Sequence, residues 1–336
     1  MLRRTSETHE WFIRLQDMRK ILDRARMDIG KSEIKRLVRV AVLDTGVDTN
    51  HSVFKKWREN GQLDAGRNLV DRDRPMTDTH GHGTHVCHVL LKTAPHIKLY
   101  PIRVFKGREA EDSTPALVAE AIRYAIEEWD IDIVSMSIAF DDNHKVIEDA
   151  INHSCNIKSR KQVLYFAAAS NNRVLENEPI GFPGRMKDRV TCVFSSDIYG
   201  QRSDFSPEGL RSQPNFSVTG ENIEAAWVTS KDDANKLNTM SGTSCATPIV
   251  AGIAALLLDF ARQDQVELRS LAGWNQSKQY LQDLSGIKSV LRRCMTDEEH
   301  MNGNYNFLKP WKLLQEFDPT VIAIKIQDAL EKRHKP

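Results

Sequence analysis

Residues 242–252 read GTSCATPIVAG and continue into the apolar segment Ile253–Phe260. A glycine-containing turn that becomes an apolar helix places Ser244 in the first helical turn, where backbone N–H groups lack helical partners and the helix dipole is positive. Both features favour negative charge that develops close to the serine oxygen. A serine hydroxyl remains a weak nucleophile until a neighbouring base removes its proton. The segment therefore predicts a site for a nucleophile, followed by an apolar helix.

Two earlier segments supply a candidate base and a candidate carboxylate. An apolar run with the sequence VAVLD ends in Asp44, and the glycine-rich stretch DTHGHGTHV contains His82. Taken alone, Asp44 is typical of a turn and Ser244 of a helix cap. Because Asp, His and Ser occur together in this chain order, the set predicts a catalytic triad. In such a triad the histidine takes the serine proton and the aspartate fixes the imidazole.

Short β-branched runs alternate with helical stretches along the chain. A helix is predicted over Pro115–Trp129, with a start signal at Ser113 or Thr114. This alternation predicts an α/β fold with parallel strands, right-handed crossovers and helices on both faces of the sheet. Ligands of such sheets bind beyond the carboxyl ends of the strands, which is where Asp44 falls. Strands are predicted at Val38–Leu43, Ile97–Val104, Ile131–Ser135, Val163–Ala168 and Val190–Phe194.

The motifs around Asp44, His82 and Ser244, in this order, resemble those of the subtilase family of serine proteases. A fourth segment, with the sequence VLYFAAASNN, resembles the strand that carries the oxyanion-stabilising asparagine of that family, which falls on Asn171. The resemblance covers roughly residues 38–260. It implies a three-layer subtilisin-like fold with a mostly parallel central sheet and helices on both faces. It also implies that Asp44 orients the imidazole, that His82 is the general base and that Ser244 is the nucleophile.

The sequence departs from the family pattern beside the expected site. Ser170 replaces the glycine before the oxyanion asparagine, and Ser137, Ile138 and Ala139 stand where the family tends to have Ser-Leu-Gly. A later segment that begins at Gly181 resembles the Gly-Tyr-Pro segment of the far pocket wall. These five residues are therefore expected to bind substrate. The methyl group of Ala139 and the hydroxymethyl group of Ser170 are expected to narrow the slot or to block backbone pairing with the substrate.

Substrate preference is less well indicated. Asp141 and Asp142 follow Phe140 and faintly resemble the acidic stretch of kexin-like subtilases, which select basic residues. A solvated turn explains the same two carboxylates. We favour the turn, and side-chain specificity stays open at this point.

No metal or cofactor is expected. His80, His82, His85 and His88 lie close enough in sequence to suggest zinc. Each step of three residues along a helix, however, rotates by about 300°, so the imidazoles would not converge. Val53 stands where a calcium-binding relative carries aspartate, which argues against the commonest calcium site of the family. His88 also departs from the glycine of the family and raises the question of how its helix packs.

The pattern divides the chain into three parts. Residues 37–262 are the expected subtilase-like catalytic domain, and residues 263–336 are an expected C-terminal extension, mostly helical and packed on that domain. Residues 1–36 are an amphipathic stretch that predicts a docking helix, or alternatively a helix that binds a partner or joins an upstream domain. Its apolar positions are Trp11, Leu15, Met18, Leu22, Ala25 and Ile29.

Composition bears on the compartment. The 336-residue chain has a formal net charge of +1 and five cysteines. The odd number of scattered cysteines favours free thiols in a reducing cytosol. The first residues lack the apolar core of a signal peptide, no run predicts a membrane span, and the near-neutral charge gives no reason to expect nucleic acid or membrane as a partner.

Together these features predict a cytoplasmic serine endopeptidase that hydrolyses protein or peptide substrates through an acyl-enzyme. An exopeptidase stays open. The alternative is a protease-like effector or interaction domain of a multidomain sensor, either gated by a partner or catalytically silent. That alternative follows from the roughly 37 residues before the first strand, which are too few for a typical folding propeptide of the family.

Overall fold

The computed structural model describes residues 7–17, 19, 22, 36–156, 162–172, 180–210, 213–230, 233–263, 266–297, 305–315 and 318–334. The strands are β1 Val38–Asp44, β2 Arg67–Asn68, β3 Ile97–Arg103, β4 Ile133–Met136, β5 Leu164–Ala168, β6 Val190–Ser196, β7 Asn215–Thr219, β8 Ile223–Ala226, β9 Leu237–Met240 and β10 Tyr305–Phe307. The helices are α1 (7–17), α2 Lys55–Glu59, α3 His82–Thr93, α4 Thr114–Glu127, α5 Lys145–Asn156, α6 Thr243–Arg262, α7 Val266–Arg269, α8 Trp274–Ser277, α9 Leu284–Met295, α10 Trp311–Leu314 and α11 Pro319–Glu331. Short 3-10 turns cover Ser52–Phe54 and Lys278–Gln282.

Eight of the described strands form one sheet in the order β10-β7-β6-β5-β4-β1-β3-β2. Every neighbouring pair in it is parallel. The strands β8 and β9 make a separate antiparallel pair. The predicted parallel α/β sheet is confirmed. All five predicted strands occur within a few residues of their expected bounds, and the helix predicted after Ser113 is α4.

Successive side chains of β1 enter opposite faces of the sheet, as the pleat requires. Val38, Val40 and Val42 belong to a core that includes α3 and α6, whereas Ala41 and Leu43 belong to a core that includes α4 and α5. All five side chains are at most 1% exposed. Because both faces are covered by helices, the strands are buried apolar runs, and the three-layer arrangement predicted from the sequence is confirmed.

The helix that the sequence predicted behind Ser244 is α6, the longest of the described helices at 20 residues. By length and composition it could cross a membrane, but its whole apolar surface is buried inside the domain. Gly252 lets α6 approach α3 closely, since a Cβ at this position would lie 2.6 Å from the Thr93 Cγ2 atom. α6 is therefore the central helix of the core that also contains α3.

The N-terminal helix α1 contributes to the same core as α6. Trp11 and Leu15 are 5% and 0% exposed, and the Trp11 ring meets the Trp311 ring edge-on with 5.9 Å between centroids. The Lys92 Nζ atom lies 4.2 Å from the centroid of the Phe12 ring, which joins α1 to the end of α3. The other predicted positions of this stretch are Leu22, which is buried, and Met18, Ala25 and Ile29, which lie outside the described residues.

The C-terminal region contains more than the predicted helices. β10 extends the central sheet beside β7, while α9, α10 and α11 join the core around α6. Phe307 lies on this edge strand, within the region for which the sequence predicted mostly helix. The division of the chain at residue 262 therefore remains a prediction, and part of the expected extension belongs to the central sheet.

The buried carboxylate of Asp132 connects three segments that lie far apart in the chain. Asp132 is 0% exposed and accepts hydrogen bonds from both Nη atoms of Arg262 at 2.9 and 2.6 Å. It also accepts from the backbone N–H of Arg39 at 2.9 Å and from the side-chain amide of Gln282 at 3.3 Å. The Arg36 guanidinium lies 3.7 Å away. This carboxylate thus joins β1, β4, the end of α6 and the C-terminal region.

We expect Asp132→Asn to lower the free energy of unfolding by roughly 2–3 kcal/mol, because it leaves the Arg262 and Arg36 cations without their buried counter-charge. Both arginines are partly exposed, which keeps the loss below that of a fully buried pair. The matched control is Asp130→Asn, at a half-exposed carboxylate that pairs with Arg36 at 2.6 Å, where we expect less than about 1 kcal/mol. Urea unfolding measures both losses, and equal losses would contradict this role of Asp132.

Candidate active site

The predicted site residues lie where neighbouring parallel strands end. Asp44 is the last residue of β1, Ser137 follows β4 and Ser170 follows β5. β1 lies between β3 and β4, so the chain continues to one side of β1 first and to the other side afterwards. The strand order reverses here, and a crevice opens at the carboxyl ends of the strands at such a point.

His82 and Asp44 form a hydrogen-bonded pair. The Nδ1 atom of His82 lies 2.7 Å from Oδ1 of Asp44, and the backbone N–H of Thr45 donates to the same oxygen at 2.8 Å. Asp44 is 3% exposed. An ionised carboxylate at this position accepts a hydrogen bond from Nδ1–H, which leaves Nε2 of the neutral ring as the basic nitrogen.

The turn before His82 is built by Asp78, a residue whose role the sequence analysis missed. One Asp78 oxygen accepts from the backbone N–H groups of His80 and Gly81, both at 2.8 Å. The other accepts from the N–H and the hydroxyl of Thr84 at 2.9 and 2.7 Å. An aspartate shortly before a glycine is a signal for such a turn. Gly81 has φ +109° and starts α3, so His82 is the first residue of that helix.

The surroundings of the His82 imidazole act on its pKa in opposite directions. Burial is the largest influence and lowers the pKa, but the charge of Asp44 and its hydrogen bond raise it, and Asp78 adds to this effect. The Arg108 cation opposes them. The pKa of His82 is raised overall. The ring is therefore a stronger base than free histidine and can take a proton from a hydroxyl group.

Ser244 and Asn171 converge beside the first turn of α6. A Cβ built on Gly242 would lie 2.9 Å from the Ser244 Oγ atom and 3.1 Å from the Asn171 Nδ2 atom. The N–H and hydroxyl of Thr243 donate to Asn171 Oδ1 at 2.8 and 3.0 Å. Because Oδ1 accepts these bonds, the Nδ2 donor of Asn171 remains available close to Ser244. A donor in this position can stabilise an oxyanion that forms at the serine.

One cavity of about 550 Å³ is lined by Asp44, His82, Asn171 and Ser244 together. The structure thus brings the four residues predicted for catalysis to a single cleft. Of the residues predicted to bind substrate, four also line the cavity: Ser137, Ile138, Ala139 and Ser170.

Two of the predicted substrate-binding residues have other surroundings than expected. Gly181 is buried behind Ala139 and is not part of the cavity wall, because the Ala139 methyl group occupies the space between them. The hydroxyl of Ser137 donates to the Ser244 carbonyl at 2.8 Å, so the Ser137 side chain supports the turn that contains Ser244. Asp141 and Asp142, the weak signal for basic substrates, are exposed and lie outside the cavity lining.

The remaining histidines of α3 support the hairpin of β8 and β9. The His85 ring bonds to the Ile223 carbonyl at 2.9 Å, and His88 Nδ1 accepts from the Ala226 N–H at 2.9 Å. Burial lowers the pKa of His85 to about 4 and that of His88 to about 3, so both rings are neutral at pH 7. Among the described residues, no group of three or more His, Cys, Asp or Glu side chains could hold a metal ion.

Comparison with known proteins decides the family. The sequence model of the family described as "Subtilase family" matches residues 35–301. This chain belongs to the subtilase family. Its relatives include the thermostable alkaline protease of Halalkalibacterium halodurans, 30% identical over 65% of this chain and 56% of the relative. The subtilisin-like protease het-Q2 of Podospora anserina is 28% identical over 80% of this chain and 81% of its own.

One further relative of this subtilase is named for its location in the cell, and one solved structure shares its fold. The major intracellular serine protease of Bacillus subtilis is 27% identical over 67% of this chain and 70% of its own. A cold adapted subtilisin-like serine proteinase shares the fold with a TM-score of 0.59, at 22% identity over 84% of this chain and 91% of that chain. The relatives indicate serine-type peptidase chemistry. This subtilase spans 56% of the length of the thermostable alkaline protease and 54% of the length of another relative, the thermophilic serine proteinase of Bacillus sp. (strain AK1).

Ser170 has a φ angle of +134°, a backbone conformation that residues with a side chain rarely adopt. The family pattern has glycine at this position. Such conformations cost about 1–3 kcal/mol for residues other than glycine. We expect Ser170→Ala to be less stable than Ser170→Gly by about 1 kcal/mol. In an unstrained loop the alanine variant would be the more stable by about 0.4–1 kcal/mol. Urea unfolding of both variants tests the order, and an alanine variant of equal or greater stability would exclude strain at Ser170.

The raised pKa of His82 predicts the pH dependence of any reaction that uses this ring as a base. The neutral ring is the active form, so kcat/KM is expected to rise with pH through a midpoint above about 6.5. Asp44→Asn removes the carboxylate that raises the pKa, and it should move this midpoint to lower pH while reducing kcat by roughly 10³-fold or more. Arg108→Gln should move the midpoint to higher pH. An Asp44→Asn midpoint that does not move would contradict the assignment.

Proposed function

We propose that this subtilase is a serine endopeptidase that hydrolyses peptide bonds of protein or peptide substrates. One observation carries the proposal. The His82 imidazole, supported by Asp44, lines the same cavity as Ser244 Oγ and Asn171 Nδ2, and these last two atoms lie against one point beside Gly242. A base, a nucleophile and an oxyanion donor around one reacting atom are the requirements of acyl transfer.

In the proposed reaction, Ser244 Oγ attacks the peptide carbonyl carbon while His82 Nε2 takes the hydroxyl proton. The imidazolium that results is stabilised by Asp44, whose Oδ1 already accepts a hydrogen bond from Nδ1–H over an N···O distance of 2.7 Å. The carbonyl oxygen becomes an oxyanion and accepts from Asn171 Nδ2 and from the Ser244 N–H at the positive end of α6. His82 then gives its proton to the leaving amine, and water releases the acyl group by the reverse sequence of transfers.

Cleavage within a chain, rather than at its end, is supported by the shape of the cleft. Ser137, Ile138 and Ala139 follow β4 directly, outside regular secondary structure, and line the cavity. A peptide can bind along such a segment through backbone hydrogen bonds, as an added strand. Binding through the backbone of several residues positions an internal peptide bond at Ser244, which is why we propose an endopeptidase.

An intracellular location is part of the proposal. The five cysteines, all within the described ranges, are free thiols, which suits a reducing compartment. The relative from Paenibacillus polymyxa that is 30% identical over 67% of this chain is named an intracellular serine protease. The free thiols and the names of these relatives support a cytoplasmic location.

Labelling with a fluorophosphonate probe tests the proposal without knowledge of the substrate. The probe forms a bond only to an activated serine, so we expect labelling of the wild type and at least a hundredfold slower labelling of Ser244→Ala and of His82→Ala. The matched control is Ser241→Ala, which removes a hydroxyl from the same cavity and should keep the labelling rate.

A folded wild type that resists the probe would contradict the proposal. It would favour the alternative of a domain that is gated by a partner or catalytically silent. Labelling that survives in Ser244→Ala would show that another residue reacts.

A further inference from the structure

The substrate side chain on the amino-terminal side of the scissile bond must enter the cavity between two neighbouring strand ends. If the scissile carbonyl lies between Ser244 Oγ and Asn171 Nδ2, the adjoining walls are residues 137–140 after β4 and residues 168–172 after β5. β4 and β5 are parallel neighbours, so their continuations run side by side at one edge of the sheet. The gap between these continuations is here called the acyl slot.

The acyl slot ends at the methyl group of Ala139. A Cβ built on Gly181 would lie 2.6 Å from the Ala139 Cβ atom and 3.0 Å from its Cα atom. The Gly181 backbone is therefore in contact with this methyl group, and no space remains between them for a substrate atom. Ala139 lines the cavity, whereas the buried Gly181 is excluded from it. Without the methyl group, the slot would reach the Gly181 backbone.

Hydrogen bonds hold the two segments together, so the slot cannot widen by a small backbone shift. Phe140 and Phe182 exchange two backbone hydrogen bonds of 2.7 Å each. The Gly181 N–H donates to the Ala169 carbonyl, also at 2.7 Å. These bonds fix Gly181 against Ala139 and connect both to the opposite wall. Moving them apart would break buried backbone bonds, each of which costs about 1–3 kcal/mol when it is left unmade.

The opposite wall is also fixed, and it carries a side chain where the family pattern has glycine. The Ser170 hydroxyl accepts from the Asn172 N–H at 3.1 Å, and the Ser170 carbonyl accepts from the Thr243 hydroxyl at 3.2 Å. Ser170 is 9% exposed and lines the cavity. Both walls of the acyl slot thus bear a carbon atom that glycine would lack.

We propose that this subtilase cleaves after residues with small side chains, such as alanine, serine and glycine, and that Ala139 is the residue that sets this limit. The inference rests on the proposed endopeptidase function and adds the substrate class of the same site. A hydrophobic pocket distinguishes side chains that differ by one methylene by about 10–200-fold. A benzyl side chain exceeds a methyl group by far more than that, so discrimination against phenylalanine should be at least a hundredfold.

Two peptidyl phosphonates measure this preference on the wild-type protein. Both are succinyl-Ala-Ala-Pro peptides that end in a diphenyl phosphonate, one an analogue of alanine and the other of phenylalanine, and both react with an activated serine. We expect the alanine probe to label Ser244 at least a hundredfold faster than the phenylalanine probe. The fluorophosphonate, which has no amino-acid side chain, reports the activated serine independently.

The outcomes separate the two proposals. Fluorophosphonate labelling together with equal or faster labelling by the phenylalanine probe would overturn the small-residue preference and leave the endopeptidase proposal intact. Failure of all three probes on the folded wild type would overturn both proposals. Fast labelling by the fluorophosphonate and by the alanine probe, without fast labelling by the phenylalanine probe, supports both proposals.

The variant Ala139→Gly tests the named residue. Removal of its methyl group should raise the phenylalanine-to-alanine ratio of labelling rates at least tenfold, with the fluorophosphonate rate showing that the site remains intact. Ala110→Gly is the matched control, because it removes a methyl group from another part of the cavity wall and should leave the ratio unchanged. An unchanged ratio in an Ala139→Gly variant that still reacts with the fluorophosphonate would overturn the role of Ala139, and a wild-type ratio near one would overturn the preference itself.

Discussion

The burial of α6 against the parallel sheet is the interaction on which the rest of the structure depends. This 20-residue helix is mostly apolar, and all of its residues except the last, Arg262, are buried. It packs in one core with α1, α3 and the C-terminal helices. Because its axis is fixed by this packing, its first turn is delivered to the carboxyl ends of the strands, where Ser244 meets Asn171. The position of Ser244 is therefore a result of core packing, to which the hydrogen bonds from Thr243 to Asn171 and from Ser137 to the Ser244 carbonyl add.

Much of the fold could be predicted from the sequence because its central strands are β-branched runs buried on both faces, and such runs are visible without any knowledge of their partners. The elements that were missed lack this signal. β7 alternates Asn215, Ser217 and Thr219 with apolar residues, which is typical of a half-exposed strand, yet all five of its residues are buried. β10 has only three residues and exists through pairing with β7. Elements that depend on distant partners in this way cannot be found from local pattern alone.

The same distinction applies to the candidate site. Asp44, His82, Asn171 and Ser244 could be named from the sequence because each lies in a short motif at the end of a strand or the start of a helix, and the structure brings them to one cavity. Sequence reasoning expected Gly181 in the cavity wall, and it could not show that a methyl group stands in front of this residue. It also gave no role to Asp78, which shapes the turn before His82. Contacts between segments far apart in the chain determine both features.

The edge-on contact between Trp11 and Trp311 has a consequence for the order of events during synthesis. Trp11 leaves the ribosome 300 residues before its partner ring, which follows Ser244 and α6 in the chain. The closing edge strand β10 is made equally late. Contacts of such long sequence separation form slowly, since a large loop must be ordered first. A nascent chain therefore carries Asp44, His82, Asn171 and Ser244 before the Trp11–Trp311 contact and the pairing of β10 with β7 can form.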